Sequence, residues 1–141
     1  SGGACVAHTG SRVWATNLSG NYSIESAEYL YLPPLDLSEA ENPVLSFRAW
    51  CSAAAGDGMS IEIYDPEHGW LNHASVTPAY SRVDGANLSA FGNLGTGSTY
   101  EPISVDLGAV AGSDRVLLRL AFRARCCTVS TGCYLDDFEL N

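Results

Sequence analysis

Lysine is absent from this 141-residue chain, and all seven basic residues are arginines. Sixteen acids set against them leave a formal charge of −9. Such a chain repels phosphate backbones on average, so nucleic acid is not an expected partner. Long apolar runs are also missing. None approaches the roughly 18 residues that a membrane-spanning helix requires, and membrane insertion is not expected. The three histidines do not form the H-E-x-x-H pair of a zinc peptidase, no G-x-S-x-G elbow occurs, and no glycine-rich loop leads from a strand into a helix. An enzyme is therefore not the expected reading.

What is present describes one ordinary domain, spanning 1–141. A chain of this length buries roughly 68–70% of its unfolded surface, enough for a core without a cofactor. The composition is 46% apolar and 16% charged with 14 glycines and 6 prolines, a globular pattern with many turns. Apolar residues recur at period two. In "VLSFRAWC" the inward set is Leu45, Phe47, Ala49 and Cys51; in "SIEIY" it is Ile61 and Ile63; in "PISVDLGAV" it is Ile103, Val105 and Leu107. "RVLLRLAFRARC" is the longest run, with Val116, Leu118, Leu120, Phe122, Ala124 and Cys126 on one side and Arg119, Arg123 and Arg125 on the other. Between the runs lie turn clusters such as "AAAGDG", "YDPEHG", "VDGAN" and "GNLGTGS". Helix signals are nearly absent, with one short turn expected in "DLSEAEN". Short strands without intervening helices predict an all-β, two-sheet antiparallel β-sandwich of jelly-roll type, with long loops from about 69 to 100.

Five cysteines, Cys5, Cys51, Cys126, Cys127 and Cys133, lack zinc spacing and read as disulfide formers in an oxidising compartment. The odd count leaves one thiol over within the chain, and several pairings stay open. The short loop from Cys126 or Cys127 to Cys133 closes easily, while antiparallel order brings the end of the Cys51 strand near the start of the last one. Asn-x-Ser sequons at Asn17, Asn21 and Asn87 matter only in a eukaryotic secretory route.

The closing "CYLDDFELN" alternates so that Tyr134, Asp136, Phe138 and Leu140 share the more apolar face. That parity sends the Asp136 carboxylate inward, where it needs a cation, an arginine or several N–H donors. A structural calcium ion, which takes six to eight oxygens, is one answer; an arginine-paired or backbone-capping aspartate is the other. The arginine row of Arg119, Arg123 and Arg125, with Arg48, reads as a solvated sheet face crossed by ion pairs to Glu62 or Asp106. Recognition of acidic sugars is its second reading. In the irregular 68–100 region, Trp70, Tyr80 and Tyr100 offer aromatic surface for stacking on a sugar ring, with His68, Asn72 and His73 as polar partners. Trp70 and Tyr100 have an alternative role as plugs at the ends of the sandwich.

Taken together, "VWATNLSGNYSIESAEYLYLPPLDLSEAENPVLSFRAWCSAAAGDGMSIEIY", "HGW", "ISVDLGAVAGSDRVLLRLAFRA" and "GCYLDDFEL" resemble the bacterial MAM-like jelly-roll modules attached to immune inhibitor A-type secreted metallopeptidases and to surface proteins. The resemblance implies a non-catalytic module with a structural calcium ion, of which Asp136 is a ligand and Asp57 and Asp137 are candidate co-ligands. The expected function is a secreted or surface-displayed binding or adhesion module within a larger protein, recognising a glycan or a cell-surface protein. The alternative is a structural spacer of a secreted metallopeptidase with no ligand of its own.

Overall fold

Side chains of a β-strand alternate between its two faces, so each period-two run can bury one edge of its pattern against a second sheet. The computed structural model, which describes residues 9, 13–16, 22–24, 26–125 and 128–141, shows this arrangement. The strands are β1 (Trp14–Ala15), β2 (Ala27–Tyr31), β3 (Val44–Ser52), β4 (Gly58–Asp65), β5 (Gly69–Asn72), β6 (Val76–Thr77), β7 (Arg82–Val83), β8 (Ser89–Ala90), β9 (Glu101–Asp106), β10 (Leu118–Arg123) and β11 (Gly132–Leu140). One sheet has the order β1-β11-β3-β9-β6, the other β2-β10-β4-β5, and β7 and β8 form a separate hairpin. All strand pairings are antiparallel. The fold is an antiparallel β-sandwich.

Its core is the one the alternation predicts. Leu45, Phe47, Ala49 and Cys51 of β3, Ile103 and Val105 of β9, Leu118, Leu120 and Phe122 of β10, and Ile61 of β4 are all buried in one cluster. Cys126 lies outside the described residues, as do Cys5, Cys127, Asn17 and Asn21. The "DLSEAEN" segment makes a turn rather than a helix: the Asp36 carboxylate accepts from the Ser38 backbone N–H and hydroxyl, and the Ala40 N–H reaches the Leu37 carbonyl. The one helical turn among the described residues is Gly108–Val110.

The last strand departs from its expected parity. Cys133 and Leu135 pair with Cys51 and Ala49 and face the core, so Tyr134 and Asp136 lie with Trp50 and Arg48 on the outer side. Beyond Asp136 the register shifts: Glu139 pairs with Ser46 and Leu140 with Leu45, while Phe138 stacks on Phe47 with ring centroids 5.0 Å apart. An extra residue is accommodated at Asp137, whose φ of 55° is left-handed. The bulge flips the pattern once, and strict alternation read backwards from Phe138 therefore assigns Tyr134 and Asp136 to the wrong face.

Cys51 and Cys133, opposite each other on β3 and β11, form a disulfide. The short-loop alternative through Cys126 or Cys127 does not form with Cys133. Gly132, just before it, has φ 93°, and a Cβ there would stand 1.9 Å from Thr16 Oγ1. The position thus admits only glycine if the Thr16 hydroxyl is to accept the Cys133 N–H.

On the edge strand β2, Glu28 pairs with Phe122 and so sits on the core-facing side, where burial raises its carboxyl above the ordinary value. An inward charge on an edge strand discourages a second sheet from docking there. A raised carboxyl stabilises the fold only while protonated, at low pH, and costs stability once pH rises through the folded value. Glu28→Gln should therefore raise the melting temperature at neutral pH, with the gain vanishing below about pH 4, where the unfolded carboxyl is also protonated. Thermal melts of both proteins across that range check the sign.

Candidate binding face on the four-stranded sheet

The two outer faces of the sandwich differ. On the five-stranded sheet, Trp50, Tyr100 and Tyr134 form a buried aromatic group, with Trp50 and Tyr134 edge to face at 5.8 Å and Val13 and Ala15 packed against them. The chain also closes over Trp50 at Gly95, where φ is 77° and a Cβ would lie 2.8 Å from the indole. Tyr100 is 5% exposed. Its place is in this seal, close to the plug reading and away from any open surface.

The outer face of the four-stranded sheet is open. Strand register places Tyr31, Arg119, Glu62 and Asn72 in one row across β2, β10, β4 and β5, with Tyr64 and Trp70 paired beyond them and Tyr29 beside Ala121. Tyr29, Tyr31 and Tyr64 are 37%, 57% and 42% exposed. Trp70 is half-buried between them, its ring 5.8 Å from that of Tyr31 and 5.4 Å from that of Tyr64.

Beneath the rings lies a charged floor. Arg119 Nε donates to Glu62 Oε1 at 2.7 Å and its Nη1 to the Tyr31 hydroxyl at 3.2 Å. Its guanidinium carbon lies 4.2 Å from the Tyr29 ring centre and 4.3 Å from that of Trp70, so one cation is held between two aromatic faces. Arg123 meets Glu62 Oε2 at 2.9 Å and Asp84 Oδ2 at 3.4 Å. Burial alone would lower the Arg123 guanidinium, but Glu62, Tyr29 and Asp84 outweigh it and hold the charge above its ordinary value. Asp84, fully buried at the head of the β7–β8 hairpin, also accepts the Ala86 and Leu88 N–H groups. The expected ion pairing with Glu62 is thus present for Arg119 and Arg123, in a buried rather than a solvated form, whereas Arg125 donates to Asn87 and Arg48 lies on β3 of the other sheet.

The other residues named from sequence are dispersed. Asn72 shares this face and donates to the Ser89 carbonyl, tying β5 to the hairpin. His68 is exposed at the β4–β5 turn, 3.5 Å from Asp65. His73 turns away, with Nε2 2.7 Å from the Asp106 carbonyl oxygen. Tyr80 packs its ring on Phe91 at 4.8 Å and donates its hydroxyl to the His73 carbonyl, and burial pushes its phenol up to about 12. Of the six, only Trp70 and Asn72 belong to one surface. Tyr29, Tyr31 and Tyr64 are not among the residues named from sequence, which gives Glu62 only as an ion-pair partner; their signal is the outward half of "EYLYL" and "IEIY", two aromatic-bearing strands whose neighbours only the register reveals.

The three carboxylates expected around calcium do not share a site. Asp136 Oδ1 accepts the Asp137 N–H at 2.8 Å and Oδ2 the Thr9 N–H at 3.0 Å, while the Thr9 hydroxyl donates to Asp137. Asp57 lies past Ser52, whereas Asp136 is paired with Arg48 four residues earlier, roughly 13 Å back along the strand. Its carboxylate is occupied by the Tyr22 hydroxyl and the Arg125 N–H, both at 2.6 Å. Burial first, then the bond to Asp57, pushes the Tyr22 phenol up to about 12. The backbone oxygens of Ala53, Ala54 and Asp57 converge on Arg82 Nη1 at 3.2, 2.7 and 3.3 Å, so the cation in this turn is an arginine. A calcium ion at Asp136 and Asp137 would draw nothing from Asp57. Among the described residues no group of three or more His, Cys, Asp or Glu side chains is placed to hold a metal.

No protein-family model matches the chain, and no curated protein matches it significantly. What defines its class is a disulfide-bonded antiparallel β-sandwich with one sealed and one open aromatic face.

Proposed function

We propose that the chain is a non-catalytic extracellular binding module, MAM-like in kind, that holds a glycan on the outer face of the four-stranded sheet as part of a larger protein. The observation that carries this reading is the contrast between the two faces. Rings on one are consumed by the fold, while Tyr29, Tyr31 and Tyr64 stand exposed around Trp70 on the other. Exposed aromatic patches of this kind mark interaction sites. A pyranose presents an apolar C–H face to such rings and hydroxyls to phenols and amides, a mixture this surface supplies. Jelly-roll winding fits the strand orders β1-β11-β3-β9 and β2-β10-β4-β5, in which most successive strands change sheet. The Cys51–Cys133 disulfide is in keeping with an oxidising, extracellular setting.

Trp70→Ala combined with Tyr31→Ala should weaken binding to an immobilised glycan array by at least about tenfold, the equivalent of roughly 1.4 kcal/mol, with circular dichroism and melting temperature retained. A folded wild-type module that binds no glycan on the array would favour the spacer role instead.

A further inference from the structure

We infer that the ligand of this face is a neutral, extended polysaccharide that lies across the strands and is held along an internal stretch rather than by a charged group or a chain end. The inference rests on the glycan reading above and narrows it.

The first argument is electrical. Glu62 and Asp84 carry two negative charges and Arg119 and Arg123 two positive ones, so the floor of the face is neutral. Each guanidinium is already engaged: Arg119 with Glu62 and the Tyr31 hydroxyl, Arg123 with both Glu62 oxygens and with Asp84. A sulfate or uronate that drew either arginine away from Glu62, whose side chain is 2% exposed, would strand a buried unpaired carboxylate. The chain's net charge of −9 opposes an anion further. The arginines therefore act on the rings and not on the ligand. Arg119, clasped between Tyr29 and Trp70, fixes the aromatic surface in advance, which lowers the ordering cost of binding.

The second argument is dimensional. Aromatic groups occur on both margins of the sheet, Tyr29 and Tyr31 on β2 and Trp70 on β5, with Tyr64 on β4 beside it. From these strands the rings converge over the sheet, Tyr29, Tyr31, Trp70 and Tyr64 following one another at 6.1, 5.8 and 5.4 Å between centres, so they form one continuous platform of which a single sugar covers only part. Along the strand direction the face is bounded by the β7–β8 hairpin, through the Gly85 N–H to the Arg123 carbonyl and the Asn72 amide to Ser89. Across the strands, β2 and β5 are the margins of this sheet. A chain laid in that direction can continue past both.

The test is isothermal titration of the intact protein with a soluble β-1,4-linked neutral polysaccharide, its hexasaccharide and its monosaccharide, and with a polyuronate and a sulfated glycan. The hexasaccharide is expected to bind at least about tenfold more tightly than the monosaccharide, with a change of no more than about twofold on raising salt, because no ion pair to the ligand is screened. Trp70→Ala should abolish that binding and Trp70→Phe should retain most of it, which separates lost stacking from lost folding. Salt-dependent binding of the polyuronate or sulfated glycan in preference to the neutral chain would overturn the inference while leaving a glycan-binding module. Equal affinity for monosaccharide and hexasaccharide would overturn the extended-chain geometry. No binding of any of these sugars would overturn both readings, and neutral binding indifferent to a folded Trp70→Ala variant would place the site elsewhere.

Discussion

Reducing the Cys51–Cys133 disulfide, or replacing both cysteines by alanine, is expected to lower the unfolding free energy by about 4 kcal/mol. The bond joins residues 82 apart in sequence, so in the unfolded chain it closes a long loop. The loop-closure relation for that length gives roughly 4.5 kcal/mol of lost denatured-state entropy at room temperature. It also fastens β11 to β3 at a point where both side chains are buried, 3% and 0% exposed, so little is gained elsewhere when the link opens. Domains of this kind have only about 5–15 kcal/mol in total, so the loss removes between about a quarter and most of the stability. The measurement is urea unfolding of the oxidised protein and the double alanine variant, with a melting shift of roughly 10–15 °C expected. A difference below about 1 kcal/mol would mean that the link is incidental to stability and would remove the support it lends to an oxidising compartment.

Glu62→Ala should cost about 3–5 kcal/mol and carry the binding face with it. Surface ion pairs usually contribute little, but exposure decides which regime applies: the Glu62 side chain is 2% exposed, and those of Arg119 and Arg123 are 12% and 13%. Removing the carboxylate leaves two guanidinium groups packed together over the sheet with Asp84 alone to meet Arg123 at 3.4 Å. The same network clasps Tyr29 and Trp70, so the rings should lose their fixed orientation as well as their support. A variant that replaces Glu62, Arg119 and Arg123 by methionine and Asp84, the remaining partner of Arg123, by asparagine should recover most of the stability, because no buried charge is then stranded, but not the binding. Melting temperature and glycan affinity, read on both variants, separate the two roles. A Glu62→Ala protein as stable as the parent would show that the network is solvated and that the neutral-floor argument does not hold.

What was legible in sequence was whatever period-two geometry governs locally. The inward residues of β3, β9 and β10 could be named because each Cβ direction follows from its neighbours two residues away. The same rule pointed Glu62, Arg119 and Arg123 outward and suggested that they pair. It failed at Asp136, where one inserted residue at Asp137 inverts the faces upstream, and a bulge leaves no mark in the pattern unless the partner strand is known. It also left Tyr29, Tyr31 and Tyr64 unremarked and grouped Tyr80, Tyr100 and His73 with Trp70, since nearness along the chain within 68–100 stood in for nearness in space.

The amino-acid order by itself determined the all-β class, the alternating core and the charge that disfavours phosphate, because these depend on local stereochemistry and on composition. Tertiary structure alone decided that Cys51 takes Cys133, that Asp57 faces Tyr22 and Arg125 rather than Asp136, and that Trp70 meets Tyr31 across the four-stranded sheet. Those outcomes depend on strand order and register, which are settled by how two sheets bury their faces against each other, and no single segment contains that information.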